Sequence, residues 1–348
     1  MPRTSSEPLL SIRNLVVEFN TDDGIVHAVD DISYDVYPGE TLGIVGESGS
    51  GKSVSTLSIL GLIPQPPGRI AGGTAMFKGR DLIKMKKKEL QHFRGDEVAM
   101  IFQDPMTSLN PVLKVGFQLS EAIHTHYPKE PMDTVKARVI ELLRLVGVPN
   151  PDTRYEAYPH EFSGGMRQRA MIAMAIANSP SLLIADEPST ALDVTIQAQV
   201  LEVLKTVQEA TNAATILITH DLGIVAEMCE RVLVMYAGKI VESGDVHTIF
   251  RSPRHPYTIG LMDSLPKLTE DEEWLRPIPG APPSLINRPS GCSFHPRCFQ
   301  SQGRLQCREE VPALRGVEGS EHLAACHFSD ELIGRTSKFS APVAGGAA

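Results

Sequence analysis

The segment GESGSGKS, residues 46–53, has the spacing of a phosphate-binding loop, G-x-x-x-x-G-K-[ST]. It follows a short apolar run and precedes a helical pattern, which is the context that such a loop requires. An accidental glycine-rich turn is the alternative. Backbone N–H groups of the loop can surround phosphate oxygens at the positive end of a helix, the Lys52 side chain can reach the β- and γ-phosphates, and the Ser53 hydroxyl can bind Mg²⁺. We assign nucleotide binding to Gly46, Ser48, Gly49, Ser50, Gly51, Lys52, Ser53 and Val54.

Two adjacent carboxylates end the apolar segment LLIADEP. Asp186 is the candidate residue to orient the metal ion, and Glu187 is the candidate general base for an attacking water. His220, which follows the apolar run ILIT, is a candidate contact of the γ-phosphate. Taken alone, the carboxylates could be solvated and the histidine structural. Their combination with a phosphate loop favours nucleotide hydrolysis.

The segment EFSGGMRQRA, residues 161–170, has no nucleophile beside a base and no cluster of metal ligands. It places Ser163, Gly164 and Gly165 before an apolar run that is typical of a helix. A hydroxyl group and backbone N–H groups at a helix N-terminus favour an anionic ligand. The segment itself does not indicate which molecule supplies that anion.

The composition is that of a globular protein with enough length for two domains. The chain has 348 residues, 42% of them hydrophobic, and a formal net charge of −9. This acidic balance argues against a nucleic-acid partner, which requires a basic face. The sequence shows no signal peptide and no apolar run long enough to span a membrane, so we expect a soluble, cytosolic chain.

Strands that alternate with helices predict an α/β fold with a largely parallel sheet. The strands are expected at 9–19, 25–37, 41–46, 181–188 and 214–221, with a hairpin at 231–245 around Ala237-Gly238. We expect a nucleotide-binding domain at 8–250 with a helical subdomain at about 105–165, a Cys-rich appendage at 251–330 and a disordered tail at 331–348.

The ordered motifs resemble those of the ATP-binding-cassette family. They comprise the phosphate loop, Gln103 in IFQDP, the signature stretch at Ser163–Gly165, LLIADEP, Asp193 in STALD, and His220 in THD. The resemblance implies a P-loop NTPase with a RecA-like parallel core, an antiparallel β subdomain and a helical subdomain. It also implies Mg²⁺ bound by Ser53, Gln103 and Asp186, catalysis by Glu187 with Gln103 and His220, and nucleotide contacts from Asp193.

In this family two cassettes dimerise head to tail, so each ATP lies between one phosphate loop and the other chain's signature. Ser163, Gly164 and Gly165 are therefore expected to contact the γ-phosphate of the ATP held by the other chain. The usual signature begins with Leu and ends with Gln, where this chain has Phe162 and Met166. Phe19 is our candidate for stacking on adenine, and an ordinary core aromatic is the alternative.

The carboxyl-terminal part is similar to that of the ATP-binding subunits of oligopeptide and dipeptide importers. The similarity is carried by HPYTIGLMDSLP, IPGAPPSL and GCSFHPRC. It implies a second, homologous ATPase subunit, which is often not identical, two transmembrane permease subunits and an extracytoplasmic peptide-binding protein. The chain would then work at the cytoplasmic face of the membrane. Import of nickel or another small solute, and a non-transport ATPase, are the alternatives.

Four of the five cysteines lie in the proposed appendage, at Cys292, Cys298, Cys307 and Cys326. Structural disulfides are not expected in a reducing cytosol. The spacing lacks the close pairs of a zinc ribbon, so a zinc site and unligated thiols remain open as alternatives. The similarity to the importer subunits suggests a four-thiolate [4Fe–4S] cluster. Cys229 is expected to be a small buried side chain.

Overall fold

The protein folds as two compact units in the structure, a computed structural model. Of the residues that the structure describes, those within 1–10, 35–41 and 76–218 belong to the first unit, and those within 11–34, 42–75 and 219–348 belong to the second. The structure describes residues 7–103, 108–190, 193–264, 277–317 and 320–333.

Seven of the described strands lie where the sequence predicts them, and the others, among them Gly68–Phe77 and Val98–Ile101, were not predicted. The strands are β1 (Leu10–Thr21), β2 (Gly24–Val36), β3 (Thr41–Val45), β4 (Gly68–Phe77), β5 (Arg80–Asp81), β6 (Val98–Ile101), β7 (Leu182–Asp186), β8 (Ala214–Thr219), β9 (Arg231–Tyr236), β10 (Lys239–Asp245), β11 (Arg315–Gly316) and β12 (Leu323–Ala324). The helices are α1 (Lys52–Ile59), α2 (Lys87–Phe93), α3 (Val115–His124), α4 (Met132–Leu145), α5 (Pro151–Tyr155), α6 (Gly164–Ala175), α7 (Val194–Thr211), α8 (Leu222–Met228), α9 (Val246–Arg251), α10 (Pro256–Asp263) and α11 (Leu305–Glu309).

The first unit contains the parallel strands β6, β7 and β8, with β7 between the other two. Every residue of β7 is buried, as expected for a parallel strand that is covered on both faces. The helices α3 to α6 follow β6 in the chain. Val135, Val139 and Leu143 form the buried stripe of α4, at the spacing of one helix face. This unit thus combines parallel strands with helices, as the predicted α/β fold requires.

The second unit contains antiparallel strands and the phosphate loop. Strands β2, β1 and β4 are neighbours in one sheet. In a second sheet, β3 pairs with β9 in parallel, and β9 pairs with β10 antiparallel. Ala237 and Gly238 join β9 to β10 with φ values of +49° and +81°, which is the backbone geometry that a tight hairpin turn requires. The predicted hairpin is confirmed.

A short 3₁₀ helix lies near the end of the described residues. Leu332 is fully buried at the end of a short 3₁₀ helix, Ser329–Leu332. Residues 334–348 of the predicted tail lie outside the described residues. In the part of the chain that the structure describes, none of the helices is both long enough and apolar enough to cross a bilayer.

Candidate functional site: a phosphate loop, paired carboxylates and a helix N-terminus

The phosphate loop connects β3 to α1 and depends on glycine at two positions. Gly46 and Gly51 have φ values of +154° and +100°. A Cβ atom at Gly46 would overlap the carbonyl oxygen of Met235, and one at Gly51 would overlap the carbonyl oxygen of Ala28. Both positions therefore exclude larger residues by backbone conformation and by space. The loop is held in a shape in which its N–H groups can face a phosphate.

Lys52 is buried in the phosphate loop, with 5% of its surface exposed. Its ammonium group donates hydrogen bonds to the carbonyl oxygens of Gly46 (2.8 Å) and Glu47 (3.1 Å). These bonds hold the cation inside the loop, at the start of α1. The predicted phosphate-binding lysine is thus placed where phosphate oxygens can replace the carbonyl oxygens.

Residues of the carboxyl-terminal region hold the phosphate loop, a contact that the sequence analysis did not predict. Arg297 donates two hydrogen bonds to the Glu47 carboxylate, at 2.7 and 3.0 Å. This paired contact raises the pKa of Arg297 above its ordinary value. The Tyr257 hydroxyl accepts a hydrogen bond from the backbone N–H of Glu47 at 2.8 Å. The loop motif leaves the residue after its first glycine unspecified, so no sequence signal pointed to Glu47.

The paired carboxylates lie at the end of β7, in the first unit. Asp186 is the last residue of the strand and is 8% exposed. Glu187 follows with φ of +47°, which is uncommon for a residue other than glycine. The Glu187 carboxylate accepts hydrogen bonds from Thr190 Oγ1 (2.8 Å) and from Gln103 Nε2 (3.3 Å). Two predicted catalytic residues, Gln103 and Glu187, are therefore in contact.

The signature stretch forms the N-terminus of α6. The Ser163 hydroxyl oxygen caps the helix by accepting a hydrogen bond from Met166 N at 3.3 Å, and its own proton remains able to donate. A Cβ atom at Gly164 would have open space around it, whereas one at Gly165 would lie 2.9 Å from Ile196 Cγ2. Gly164 thus faces free volume in this chain. Gln168 anchors the helix by donating to the carbonyl oxygen of Pro188, the residue after Glu187, at 2.7 Å.

The remaining predicted ATP residues have different surroundings. Asp193 caps α7 by accepting a hydrogen bond from Ile196 N at 3.0 Å, so it has a structural role whether or not it contacts nucleotide. His220 follows β8 and is exposed in the second unit. Phe19 is half-buried on β1, and its ring packs against Gly68. Asp193 belongs to the first unit, with Gln103, Asp186, Glu187 and Ser163–Gly165, whereas His220, Phe19 and the phosphate loop belong to the second.

The four carboxyl-terminal cysteines line one cavity in the second unit. Burial raises the pKa of the Cys292 thiol to about 11 and that of Cys326 to about 12, and it also raises the pKa values of Cys298 and Cys307. Backbone N–H groups donate to three of these sulfurs, from Phe294 and His295 to Cys292, from Gln300 and Ser301 to Cys298, and from Phe328 to Cys326. Convergent thiols with N–H donors fit a metal centre. Cys229 is buried elsewhere, as predicted.

These features together define the class of protein. A phosphate loop joins a buried strand to a helix, paired carboxylates end a second buried strand, and Ser163–Gly165 begin a helix with open space at Gly164. This combination of features is typical of an ATP-binding cassette.

Known proteins place the chain within that class. The model of the ABC transporter family matches residues 29–190, and the model of the oligopeptide/dipeptide transporter C-terminal region matches residues 241–307. The chain is 51% identical over 327 residues to the dipeptide transport ATP-binding protein DppD of Escherichia coli (strain K12), covering 94% of this chain and 98% of that protein. It is 54% identical over 308 residues to the oligopeptide transport ATP-binding protein OppD of Bacillus subtilis (strain 168), covering 88% and 86%. This chain belongs to the ABC transporter family, and it is an ATPase of that family.

Solved structures agree on the fold. A dimeric, post-hydrolysis form of the ATP-binding cassette MJ0796, bound to ADP and Pi, has a TM-score of 0.61 and 24% identity, and the match covers 68% of this chain and 98% of that chain. The cassette cbiO1 of Clostridium perfringens, part of the ABC transporter complex cbiONQ, has a TM-score of 0.59 and 26% identity, with coverage of 70% and 91%. The likeness therefore extends over about two thirds of this chain.

Proposed function

We propose that this chain is the ATP-hydrolysing subunit of an importer for dipeptides or oligopeptides. The observation that carries the proposal is the identity of about half of all residues with DppD and OppD over most of each chain. The match to the peptide transporter C-terminal region, residues 241–307, supports the same substrate class. Nothing on this chain favours nickel over peptides.

The contacts of the described residues support the following proposal for the catalytic step. The loop N–H groups and Lys52 bind the β- and γ-phosphates of ATP. Glu187, oriented by Thr190 and Gln103, accepts a proton from the water that attacks the γ-phosphorus. The bond from the γ-phosphorus to the bridging oxygen of the β-phosphate breaks, so that ADP leaves and inorganic phosphate is formed. Mg²⁺ held by Ser53, Gln103 and Asp186 would neutralise charge on the phosphate oxygens.

Completion of the site requires a second cassette. Ser163, Gly164 and Gly165 present a hydroxyl group, helix N–H groups and open space. We propose that they bind the γ-phosphate of an ATP held by the other cassette, while His220 contacts the γ-phosphate, Asp193 contacts nucleotide and Phe19 stacks on adenine. ATP then closes the pair, and its hydrolysis lets the pair open.

The Glu187→Gln variant tests the catalytic assignment. The amide cannot accept the proton, so we expect ATP affinity within about threefold of wild type and hydrolysis slower by at least about 100-fold. Glu202→Gln, an exposed carboxylate on α7, is the matched control and should hydrolyse ATP normally. Near-normal hydrolysis by Glu187→Gln would remove the general-base role.

The transport assignment has its own test. The proposed complex contains a second, homologous and non-identical ATPase subunit, two transmembrane permease subunits and an extracytoplasmic peptide-binding protein, with this chain at the cytoplasmic face. Its ATPase rate should rise when the binding protein carries a dipeptide or oligopeptide. A complex that responds to nickel and not to peptides would contradict the substrate class. A dilute, isolated monomer with full activity would contradict the shared site.

We propose a division into a cassette at 8–250 and a Cys-rich appendage at 251–330 that holds a metal centre on Cys292, Cys298, Cys307 and Cys326. The four thiols line one cavity, which supports a shared metal centre there. A [4Fe–4S] cluster, which four thiolates can hold, is the proposed centre, with zinc as the alternative. The metal centre would cross-link this region and stabilise its fold, or it would respond to redox state.

Metal analysis of anaerobically purified protein tests this centre. We expect equal amounts of iron and sulfide in the wild type and a loss of both in Cys307→Ser. Cys229→Ser is the control, because Cys229 lies outside the cavity, and it should retain both. Colourless protein that contains zinc would contradict the cluster.

A further inference from the structure

A separate group of metal-ligand side chains lies in the first unit, among residues that neither the ATP site nor the cysteine cavity uses. His92, Asp96 and His126 each offer one ligand atom, and these atoms lie within 4.8 Å of one another. His92 is exposed and the other two are half-buried. An ion could therefore reach the group from solvent and still be partly enclosed.

The backbone around the group is fixed by other contacts. His92 lies in the last turn of α2, Asp96 precedes β6, and His126 follows α3. Asn178, which is 7% exposed, donates hydrogen bonds to the carbonyl oxygens of Gly95 and Ala122, each at 3.1 Å. One buried side chain thus ties the Asp96 segment to the His126 segment. The ligands are held together before any ion binds, which lowers the cost of binding.

Gly95 allows the two segments to approach closely. Its φ is +83°, and a Cβ atom there would lie 3.1 Å from His126 Nε2. A larger residue would be strained by its backbone conformation and would push the His126 ring away. The close approach of the imidazole to the Asp96 segment therefore depends on this glycine.

The ligand atoms themselves are available. The Tyr127 hydroxyl donates to Asp96 Oδ1 at 2.8 Å, which leaves Oδ2 for a metal ion. His126 has a hydrogen bond with the backbone of Arg94, whereas its Nδ1 is buried and has no hydrogen-bond partner among the described residues. A ring with one nitrogen bonded to the backbone and the other free is the arrangement of metal-binding histidines.

We propose that His92, Asp96 and His126 bind one divalent transition-metal ion, represented by Zn²⁺. Two imidazole nitrogens and one carboxylate oxygen suit zinc, whereas Mg²⁺ prefers oxygen ligands alone. Three protein ligands leave a coordination position for water. The ion joins the turn before β6 to the end of α3, and Gln103 lies in the chain between these two elements. The metal therefore restrains the chain on both sides of the segment that carries Gln103.

Equilibrium dialysis of the full chain against Zn²⁺, followed by metal analysis, tests the proposal. We expect the wild type to hold one zinc ion per chain more than His92→Ala and Asp96→Asn, with an affinity for that ion at least about tenfold higher. His92 is exposed, so its replacement does not endanger the fold. His124→Ala, two residues from His126 and outside the group, should bind as the wild type does. The cysteines are the same in all four proteins, so their zinc cancels in the difference.

Hydrogen exchange locates the ion. Zinc should slow exchange of the amides near Gly95–Val98 and near Ile123–Tyr127 in the wild type and in His124→Ala, and should not slow it in His92→Ala. Equal zinc contents in wild type and His92→Ala would overturn the proposal. Amide exchange rates that zinc leaves unchanged at both segments would also overturn it. Neither result depends on ATP hydrolysis or on peptide transport.

Discussion

Replacement of Arg297 by glutamine removes the two hydrogen bonds that hold Glu47 in the phosphate loop. The Arg297 side chain is 6% exposed and that of Glu47 is 26% exposed, so solvent replaces the lost contact only in part. Breaking a buried pair costs about 3–5 kcal/mol, and the partial exposure of Glu47 reduces this to about 2–3 kcal/mol. The Glu47 carboxylate is also left uncompensated. Its repulsion of the ATP phosphates is expected to weaken ATP binding about tenfold, which corresponds to about 1.4 kcal/mol.

Equilibrium titration with Mg-ATP measures this effect directly. We expect Arg297→Gln to bind ATP about tenfold more weakly and Glu47→Gln/Arg297→Gln to recover most of that loss, because the unpaired carboxylate is gone. Arg304→Gln is the matched control, since Arg304 pairs with Glu331 at the surface. Wild-type affinity in Arg297→Gln, or no recovery in the double variant, would refute the argument that the pair supports the phosphate loop.

Two further predictions concern the signature and the carboxyl-terminal region. Gly164→Ala should leave thermal stability unchanged or raise it by up to about 1 kcal/mol, because its Cβ atom meets nothing in this chain; the assembled complex should lose ATPase activity, and retained activity would contradict a γ-phosphate at that position. Glu242→Ala should destabilise the second unit by about 3 kcal/mol in urea unfolding, because Glu242 is fully buried and accepts a hydrogen bond from His322 at 2.7 Å. Glu331→Ala, at the surface, should change the free energy of unfolding by less than about 1 kcal/mol. An equal loss of stability in both variants would contradict the predicted difference between the buried and the exposed carboxylate.

Most of the elements could be predicted because their signals are local. The strand β7 is a continuous apolar run, and the Ala237-Gly238 turn has a residue pair suited to a hairpin. The sequence pattern places Ser163, Gly164 and Gly165 before the helix, whereas α6 begins at Gly164. The difference arises because Ser163 caps the helix, so both glycines enter its first turn.

Parts of the candidate site could not be predicted, because they depend on pairs of residues that are distant in the chain. Arg297 and Glu47 are ordinary charged residues, and only their bidentate contact gives them a role in the phosphate loop. Asp193 is a second example. Its motif suggests nucleotide contact, and only the structure shows that it also caps a helix. Motifs indicate which chemistry is available; contacts indicate which groups are positioned to carry it out.

The sequence by itself determined the family, the phosphate loop, the paired carboxylates and the four-cysteine set, because each depends on residue types at short fixed spacings. Tertiary structure decided that Gln103 contacts Glu187, that Arg297 holds Glu47, and that His92 and Asp96 meet His126. These contacts join elements whose separation along the chain carries no periodic signal. Their formation is driven by the burial of apolar strand and helix faces, and the polar groups at the ends of those elements are brought together as a consequence.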